Sequence, residues 1–456
     1  MDKDRPESLA QAIVEWCSGC ECCRTLMDDT SCLVFAELFR LSDREREMGT
    51  KATSQELRAL IDLCNFCGIC PCTSVRIDMR ESKDAFIERD GLKPAIHILE
   101  DVQRVSDICG AYPRLANLLL QKEPSATLLK RIAGVHPERT IPKFPEESFI
   151  DWAKGRGIDK KRGGKEKKVA YFAGCTAQFL FPQVAKAAVE VLEHNGIEVY
   201  YPEQKCCGMP PMLEGDRRFT FELAAFNLQQ LGETVDAGYD IVCSCPTCGY
   251  TLKNLLTEGT YFSAGCGYIG EAEIDSAGLR ATDSRRKKLA SASKLADDGL
   301  LLDEGYFASL DVQQRIKVAS RTYDLGEYLR DLHRSGKFKT DLGPAPERMA
   351  YYPPCHLREQ KIGEPWWDLL GLVPEISIQK AGDSSDCCGI AGIMGFKREF
   401  YDVSVAMGSR LMEKIRTINP ERLLSDCLSC RIQFNQLLSY KVSHPVEILR
   451  EAYSAY

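Results

Sequence analysis

Three stretches decide the fold: VAYFAGC at residues 169–175, IEVYYPEQKCCG at 197–208 and YDIVCSCPTC at 239–248. Each runs from apolar and aromatic residues into a cysteine group, the pattern of a short buried strand ending at a loop. The same order returns in MAYYPPC (349–355), EISIQKAGDSSDCCG (375–389) and RLLSDCLSC (422–430). Cys175, Cys206, Cys207, Cys245 and Cys248 map onto Cys355, Cys387, Cys388, Cys427 and Cys430 at offsets of 180, 181, 181, 182 and 182 residues. Matching order at a near-constant offset marks an internal duplication. Helical patterns fill the gaps. Val184, Ala188, Val191 and Leu192 share one face, and Asn195-Gly196 supplies a stop. Strands alternating with helices predict βαβ units and mainly parallel sheets, with the cysteine loops converging at the C-terminal strand ends.

The first copy carries an insertion, about residues 257–318, that includes the polar run DSRRKKLASASKLADDG, expected to form a solvent-exposed helix pair. Cys266 lies in this insertion without a counterpart. Upstream, a Pro-punctuated stretch ends in KGRGIDKKRGGKEKK (154–168), with eight Lys/Arg against two acids, which reads as a solvated connector. The expected domains are 1–110, a linker 111–168, 169–340 and 341–456.

The N-terminal segment holds two CxxCxxC runs, Cys17-Cys20-Cys23 and Cys64-Cys67-Cys70. Three closely spaced thiolates can hold three irons of a cubane [4Fe-4S] cluster. In two-cluster ferredoxins the fourth ligand of one run serves the other cluster. By that logic Cys72 completes the first site and Cys32 the second, with Cys22 an alternative in the first. The spacing departs from the bacterial run, because Cys32 follows only after eight residues and Cys72 after one. Between the runs, AELFRLSDREREMG (36–49) is helical by composition, and Thr53 with Glu56 forms a capping box for a helix to Leu63. The domain is therefore expected to be helical. Structural zinc is the competing reading, although zinc sites more often use paired CxxC knuckles or Cys/His sets. Cys109 and Cys22 suit small buried apolar positions.

The chain has 456 residues, 22 cysteines and a net charge of −7. No apolar run reaches a membrane span, and no apolar h-region follows the N-terminus. A large chain of this kind with clustered cysteines points to metal-bound thiolates in a reducing compartment. The acidic balance argues against nucleic acid as a partner. Neither GVHPERT (134–140) nor AGIMGFKRE (391–399) fits a nucleotide-binding fingerprint, so no flavin or nicotinamide of its own is expected.

The two Cys…CCG…CxxC sets, with PCHLRE (354–359), CCGIAGIMGFKREFYDVS (387–404) and SDCLSC (425–430), resemble the cysteine-rich CCG domain. That domain is shared by heterodisulfide reductase subunits, the C subunit of anaerobic glycerol-3-phosphate dehydrogenase and the iron–sulfur subunit of glycolate oxidase. The resemblance implies an α/β fold: a helical two-cluster ferredoxin domain followed by two tandem CCG domains with parallel sheets. It implies up to two noncubane [4Fe-4S] clusters beside the two cubanes. One would be held by Cys175, Cys206, Cys207, Cys245 and Cys248. The other, the terminal and catalytic one, would be held by Cys355, Cys387, Cys388, Cys427 and Cys430. Zinc or a cubane replaces this cluster in some relatives. Cys243 competes with Cys245, and His356 beside Cys355 is expected to be a satisfied polar group. Gly208 and Gly389 are expected to allow a tight turn. Trp366-Trp367 and Phe179-Leu180-Phe181 suit helix core, or a screen around a cluster.

The implied function is an iron–sulfur electron-transfer subunit of an anaerobic oxidoreductase. It would relay electrons from a flavoprotein or ferredoxin-type partner to a quinone, through a membrane partner, or to a disulfide. The alternatives are a heterodisulfide or disulfide reductase catalytic subunit, and a zinc-bound structural or assembly module. The expected location is cytoplasmic or peripheral at the membrane.

Overall fold

A computed structural model describes residues 4–164, 166–262 and 301–454. The insertion's polar run and Cys266 lie outside these residues. Two all-parallel sheets carry the two copies of the repeat. The first contains β1 (Lys168–Phe172), β2 (Glu198–Tyr200), β3 (Asp240–Cys243) and β6 (Thr322–Asp324), in the order β2-β1-β3-β6. The second contains β7 (Arg348–Tyr351), β8 (Ser377–Lys380), β9 (Arg422–Leu424) and β10 (Lys441–Ser443), in the order β8-β7-β9-β10. Under the duplication these orders are the same. The central strands are buried on both faces, as parallel strands covered by helices must be. An antiparallel pair, β4 (Thr260–Phe262) with β5 (Leu301–Asp303), brackets the undescribed part of the insertion.

The two repeats share one continuous core, in which Val184, Leu192, Trp366, Leu411 and Leu449 all take part. Helix Pro182–His194 packs on the C-terminal helix Pro445–Ser454. At that seam Asn195 Nδ2 donates to Tyr453 Oη at 3.2 Å, and the His194 ring stacks on Tyr453. Trp366 is buried in the same seam, edge-on to His444. Its partner Trp367 sits at the surface.

The N-terminal domain is helical, built on Arg5–Ser18, Leu33–Met48, Ser54–Asp62 and Thr73–Asp90 around Phe35, Leu38, Leu60 and Phe86. The capping box forms as its sequence implies, with Thr53 and Glu56 bonding reciprocally at the start of Ser54–Asp62. One face of Thr73–Asp90 carries buried Arg76, Arg80 and Lys83, spaced by about one helical turn. Arg76 pairs with Glu359 and reaches Tyr250 Oη. Arg80 pairs with Glu258, and Lys83 Nζ donates to the carbonyl oxygens of Cys64 and Leu213. This row fastens the helical domain to both repeats.

Residues 111–168 carry helices Pro113–Gln121, Ser125–Ile132 and Phe149–Gly155. Within this stretch Arg139 is fully buried in the second repeat. It donates from Nε to Gly395 O at 2.7 Å and from Nη1 to Gln433 Oε1 at 2.6 Å.

Candidate metal centre

In both repeats every cysteine group of the Cys…CCG…CxxC set sits beyond the end of a strand, where a helix or loop begins. Cys175 follows β1 in helix Gly174–Phe179, and Cys355 follows β7 at the start of Cys355–Glu359. Cys245 and Cys427 each precede a helix that carries the second thiol of the CxxC pair, Cys248 and Cys430. Parallel strands deliver these loops to one side of the sheet, so each set of five thiols converges. In the first set Cys206 Sγ lies 3.7 Å from Cys175 Sγ, and Cys207 contacts both Cys206 and Cys248. In the second, Cys388 Sγ lies 3.0 Å from Cys430 Sγ, and Cys387 contacts Cys355. These separations exceed an S–S bond of about 2.05 Å. All described cysteines are free.

Glycines permit this crowding. Gly174 has φ +71°, and a Cβ there would fall 2.7 Å from Cys248 Sγ. Gly389 has φ +86°, and its Cβ would fall 2.1 Å from Ser404 O, where helix Tyr401–Ile418 passes. Gly208 has φ +89°, and a Cβ there would make only ordinary contacts, 3.6 Å from Thr220. The tight turn expected of both CCG glycines is present, and at Gly389 close helix packing adds to it.

The two thiol pockets open onto one another. All ten of their cysteines line one cavity of about 220 Å³, together with Cys67, Asn65, Thr247 and His356. Its wall is otherwise mainly apolar and includes Ile98, Leu99, Val102, Phe144, Leu180 and Phe396.

The N-terminal thiols fall into two groups. Burial pushes up the Cys17 and Cys23 thiols, and Cys72 lies close enough to both to add to the shift, beside Cys20. Cys32 lies beside Cys64 and Cys70. Cys67 faces Cys32 and, across the domain boundary, Cys387 and Cys355. Cys22 is exposed, and Cys109 is half-buried. Cys243 is fully buried behind Cys245 at the end of β3 and pairs in register with Asp324.

His356 joins the three domains. The Phe66 carbonyl can only accept, so His356 Nε2 donates to it at 3.1 Å, inside the 64–70 loop. Its Nδ1 then accepts from Thr247 Oγ1 at 2.9 Å, inside the Cys245–Cys248 turn of the first repeat. The ring stacks on Tyr250, and burial pulls its pKa down to about 4, so it is a neutral imidazole. It is the satisfied polar group its sequence position suggests, and it is also a bridge between cluster loops. His444 plays a parallel part. Its Nδ1 accepts from Val446 N, and its Nε2 donates to Ser244 O at 3.0 Å. Thr247, Ser244 and His444 were not identifiable as site residues from sequence. Only their adjacency to CxxC groups or to the helix cap at Glu447 hints at a role.

The second pocket has a cation, Arg358, at a position where the first has a neutral residue. Arg358 donates to Pro353 O and Asp386 O, both at 2.9 Å, and its charge acts on Cys355 and Cys387. At the equivalent position the first repeat has Gln178, buried and bonded to Tyr201 Oη at 2.9 Å. Asp386 does not cancel Arg358, because Arg410 and Lys414 already pair with it.

The donor set fits iron–sulfur ligation. Each pocket offers five thiols, four of them buried and the fifth, Cys175 or Cys355, half-buried. Contact with Cys175 and Cys207 pushes the Cys206 thiol up, and contact with Cys387 pushes Cys355 up. Neighbouring thiols therefore cannot all ionise unless positive metal ions join them.

These sheets and paired pockets define a duplicated cysteine-rich α/β class. A model of the CCG cysteine-rich domain matches residues 169–253 and 349–435, so the chain carries the CCG domain twice. It is homologous to the C subunit of the anaerobic glycerol-3-phosphate dehydrogenase of Escherichia coli (strain K12), 24% identical over 80% of this chain and 78% of that protein. It is likewise homologous to the B subunit of the fumarate reductase (CoM/CoB) of Methanothermobacter marburgensis, 23% identical over 82% of this chain and 66% of that protein. Lactate utilization protein A of Exiguobacterium sp. is 26% identical over 62% of this chain and 95% of its own length. The chain is an oxidoreductase subunit of the iron–sulfur type. Among the described residues no helix is long and apolar enough to cross a membrane.

Proposed function

We propose that this chain is the electron-transfer subunit of an anaerobic oxidoreductase complex, receiving electrons from a flavoprotein or ferredoxin-type partner and delivering them to a quinone. One observation carries this reading: the 64–70 loop and both five-cysteine pockets meet at a single cavity. Cys17, Cys20, Cys23 and Cys72 would hold one cubane, and Cys64, Cys67, Cys70 and Cys32 the other. Cys175, Cys206, Cys207, Cys245 and Cys248, and Cys355, Cys387, Cys388, Cys427 and Cys430, would hold two noncubane clusters. Bound clusters supply one-electron redox chemistry, with potentials tuned by nearby charge, hydrogen bonds and burial. The protein's part is to fix the loops against one another through His356 and to keep water from the thiols with the apolar wall. Arg358 adds positive charge at the second pocket, which favours the reduced state there and supports that pocket as terminal.

The wall supports a lipophilic acceptor. Ile98, on that wall, begins a run of exposed apolar side chains that continues through Ile108, Leu115, Leu118, Leu128 and Ile132. A second reading, disulfide reduction, draws support from the ten thiols facing one cavity, where one substrate could meet both clusters.

The test is iron, acid-labile sulfide and zinc content of protein purified without oxygen, with EPR on the same sample. Four full clusters predict about 16 irons per chain. About 8 irons with cubane signals alone would leave the CCG pockets without the proposed clusters. Zinc without sulfide would favour a structural module. Turnover with reduced viologen then separates the acceptors: disulfide consumption supports the second reading, and quinone reduction the first.

A further inference from the structure

Away from the thiol pockets, helix Pro94–Glu100 meets the start of helix Arg217–Asp236. There His97 Nδ1 lies 2.9 Å from Glu100 Oε1 and 3.7 Å from Asp216 Oδ2. One ligand atom from each of the three residues falls within 4.8 Å of the other two. Donors bound to one ion at about 2.1 Å are about 3.0–3.4 Å apart in octahedral or tetrahedral arrangement, so His97 and Glu100 are spaced as co-ligands and Asp216 has to close in by a few tenths of an ångström.

The second observation is the state of Glu100. Its side chain is 1% exposed, its Oε1 meets the His97 ring, and its Oε2 has no donor, with the acidic Asp216 beside the carboxyl. A buried carboxylate oxygen left without a donor is costly unless a proton or a cation satisfies it. Lys397 is committed to Glu214, and the surrounding acids, Asp216, Glu214 and Asp101, add negative charge. Burial and these neighbours push the Glu100 carboxyl up to about 9, so the folded protein resists a bare charge there. Asp216 keeps one oxygen for its own helix, accepting from Phe219 N at 2.9 Å, and turns the other toward His97.

We propose that His97, Glu100 and Asp216 form a divalent-cation site, separate from the cysteine clusters, of the hard nitrogen-and-oxygen type that takes manganese(II), iron(II) or zinc. The ion would tie the helix that carries Ile98 and Leu99, both on the cavity wall, to the first repeat. It would hold the apolar wall in place, with no part in electron transfer.

Manganese(II) is the suitable probe, because oxygen and imidazole donors bind it while thiolates prefer softer metals. The cluster-loaded full chain, stripped of loose divalent ions on a chelating resin, is titrated with Mn²⁺. Loss of the free-ion EPR signal reports binding. The expected result is one Mn²⁺ per chain, with Glu100→Gln and Asp216→Asn each weakening it by at least about tenfold. Asparagine preserves the helix cap, so the second variant keeps its fold. Iron content and cluster signals should stay unchanged in both. No Mn²⁺ bound by the wild type, or binding unaltered in both variants, overturns the site. In that case Glu100 is a protonated acid, and Glu100→Gln should raise the unfolding temperature.

Discussion

Arg358→Gln tests whether the two CCG pockets differ in redox potential for the reason their residues suggest. The guanidinium donates to Asp386 O at 2.9 Å, and Asp386 immediately precedes Cys387. One peptide unit and a side chain further on, the sulfur is on the order of 7 Å from the charge. At an effective dielectric of about 20, a unit charge at that distance is worth about 2.4 kcal/mol. For a one-electron couple this is about 100 mV, at 59 mV per tenfold change. A positive charge stabilises the reduced, more negative cluster, so removing it should lower the potential of the second pocket by roughly that amount. Gln178 at the equivalent position shows that the fold accepts glutamine there. The assay is an EPR-monitored redox titration of wild type, Arg358→Gln and Arg358→Lys. Lysine keeps the charge and should stay within about 30 mV of wild type. Equal potentials in wild type and glutamine variant, or equal losses in both variants, would refute the electrostatic argument and the ordering of the pockets drawn from it.

Gly389→Ala should destabilise by about 3 kcal/mol or more, because its Cβ would sit 2.1 Å from Ser404 O, whereas Gly208→Ala should cost only about 1 kcal/mol for its positive φ; thermal unfolding of the two variants separates these values. Burial pulls His444 down to about 3, below the usual value of 6.5, so the unfolded chain binds the proton first. Its contribution is therefore complete above pH 6.5 and is lost as pH falls toward 3; between pH 7 and 5.5 the loss is about 1 kcal/mol, which denaturant titrations should find in wild type and not in His444→Gln. Cys72→Ser should perturb the EPR signal of the cubane at Cys17, Cys20 and Cys23, and Cys32→Ser the other one, each losing up to about four irons per chain. If each serine variant affected the run nearer to it in sequence, the crossed pairing would be wrong.

Much of this was legible in the residues. The duplication follows from cysteine offsets alone, and duplicated strands must form duplicated sheets, as β2-β1-β3-β6 and β8-β7-β9-β10 show. The capping box at Thr53 and the stop at Asn195-Gly196 are local chemistry, fixed by side chains that reach only three or four residues. The exchange of fourth ligands in two-cluster ferredoxins suggests grouping Cys72 with the first run and Cys32 with the second, and Cys72 lies near Cys17 and Cys23, Cys32 near Cys64 and Cys70.

Other features depend on approaches between distant parts of the chain. Phe66 and His356 are 290 residues apart, and nothing in either neighbourhood encodes the bond. Arg139, in a stretch whose composition suggests a connector, is buried because Gly395 and Gln433 meet it from the second repeat. The charge difference between the pockets is written in the sequence as Gln178 against Arg358, yet it gains meaning only when the guanidinium is seen beside Asp386 and the thiols. Periodicity and cysteine spacing mark out the elements and the two repeated five-cysteine sets, because local patterns and repeats are read directly along the chain. Tertiary packing alone decides that both pockets open onto one cavity and that His97, Glu100 and Asp216 meet, because burial and low dielectric are properties of the assembled core.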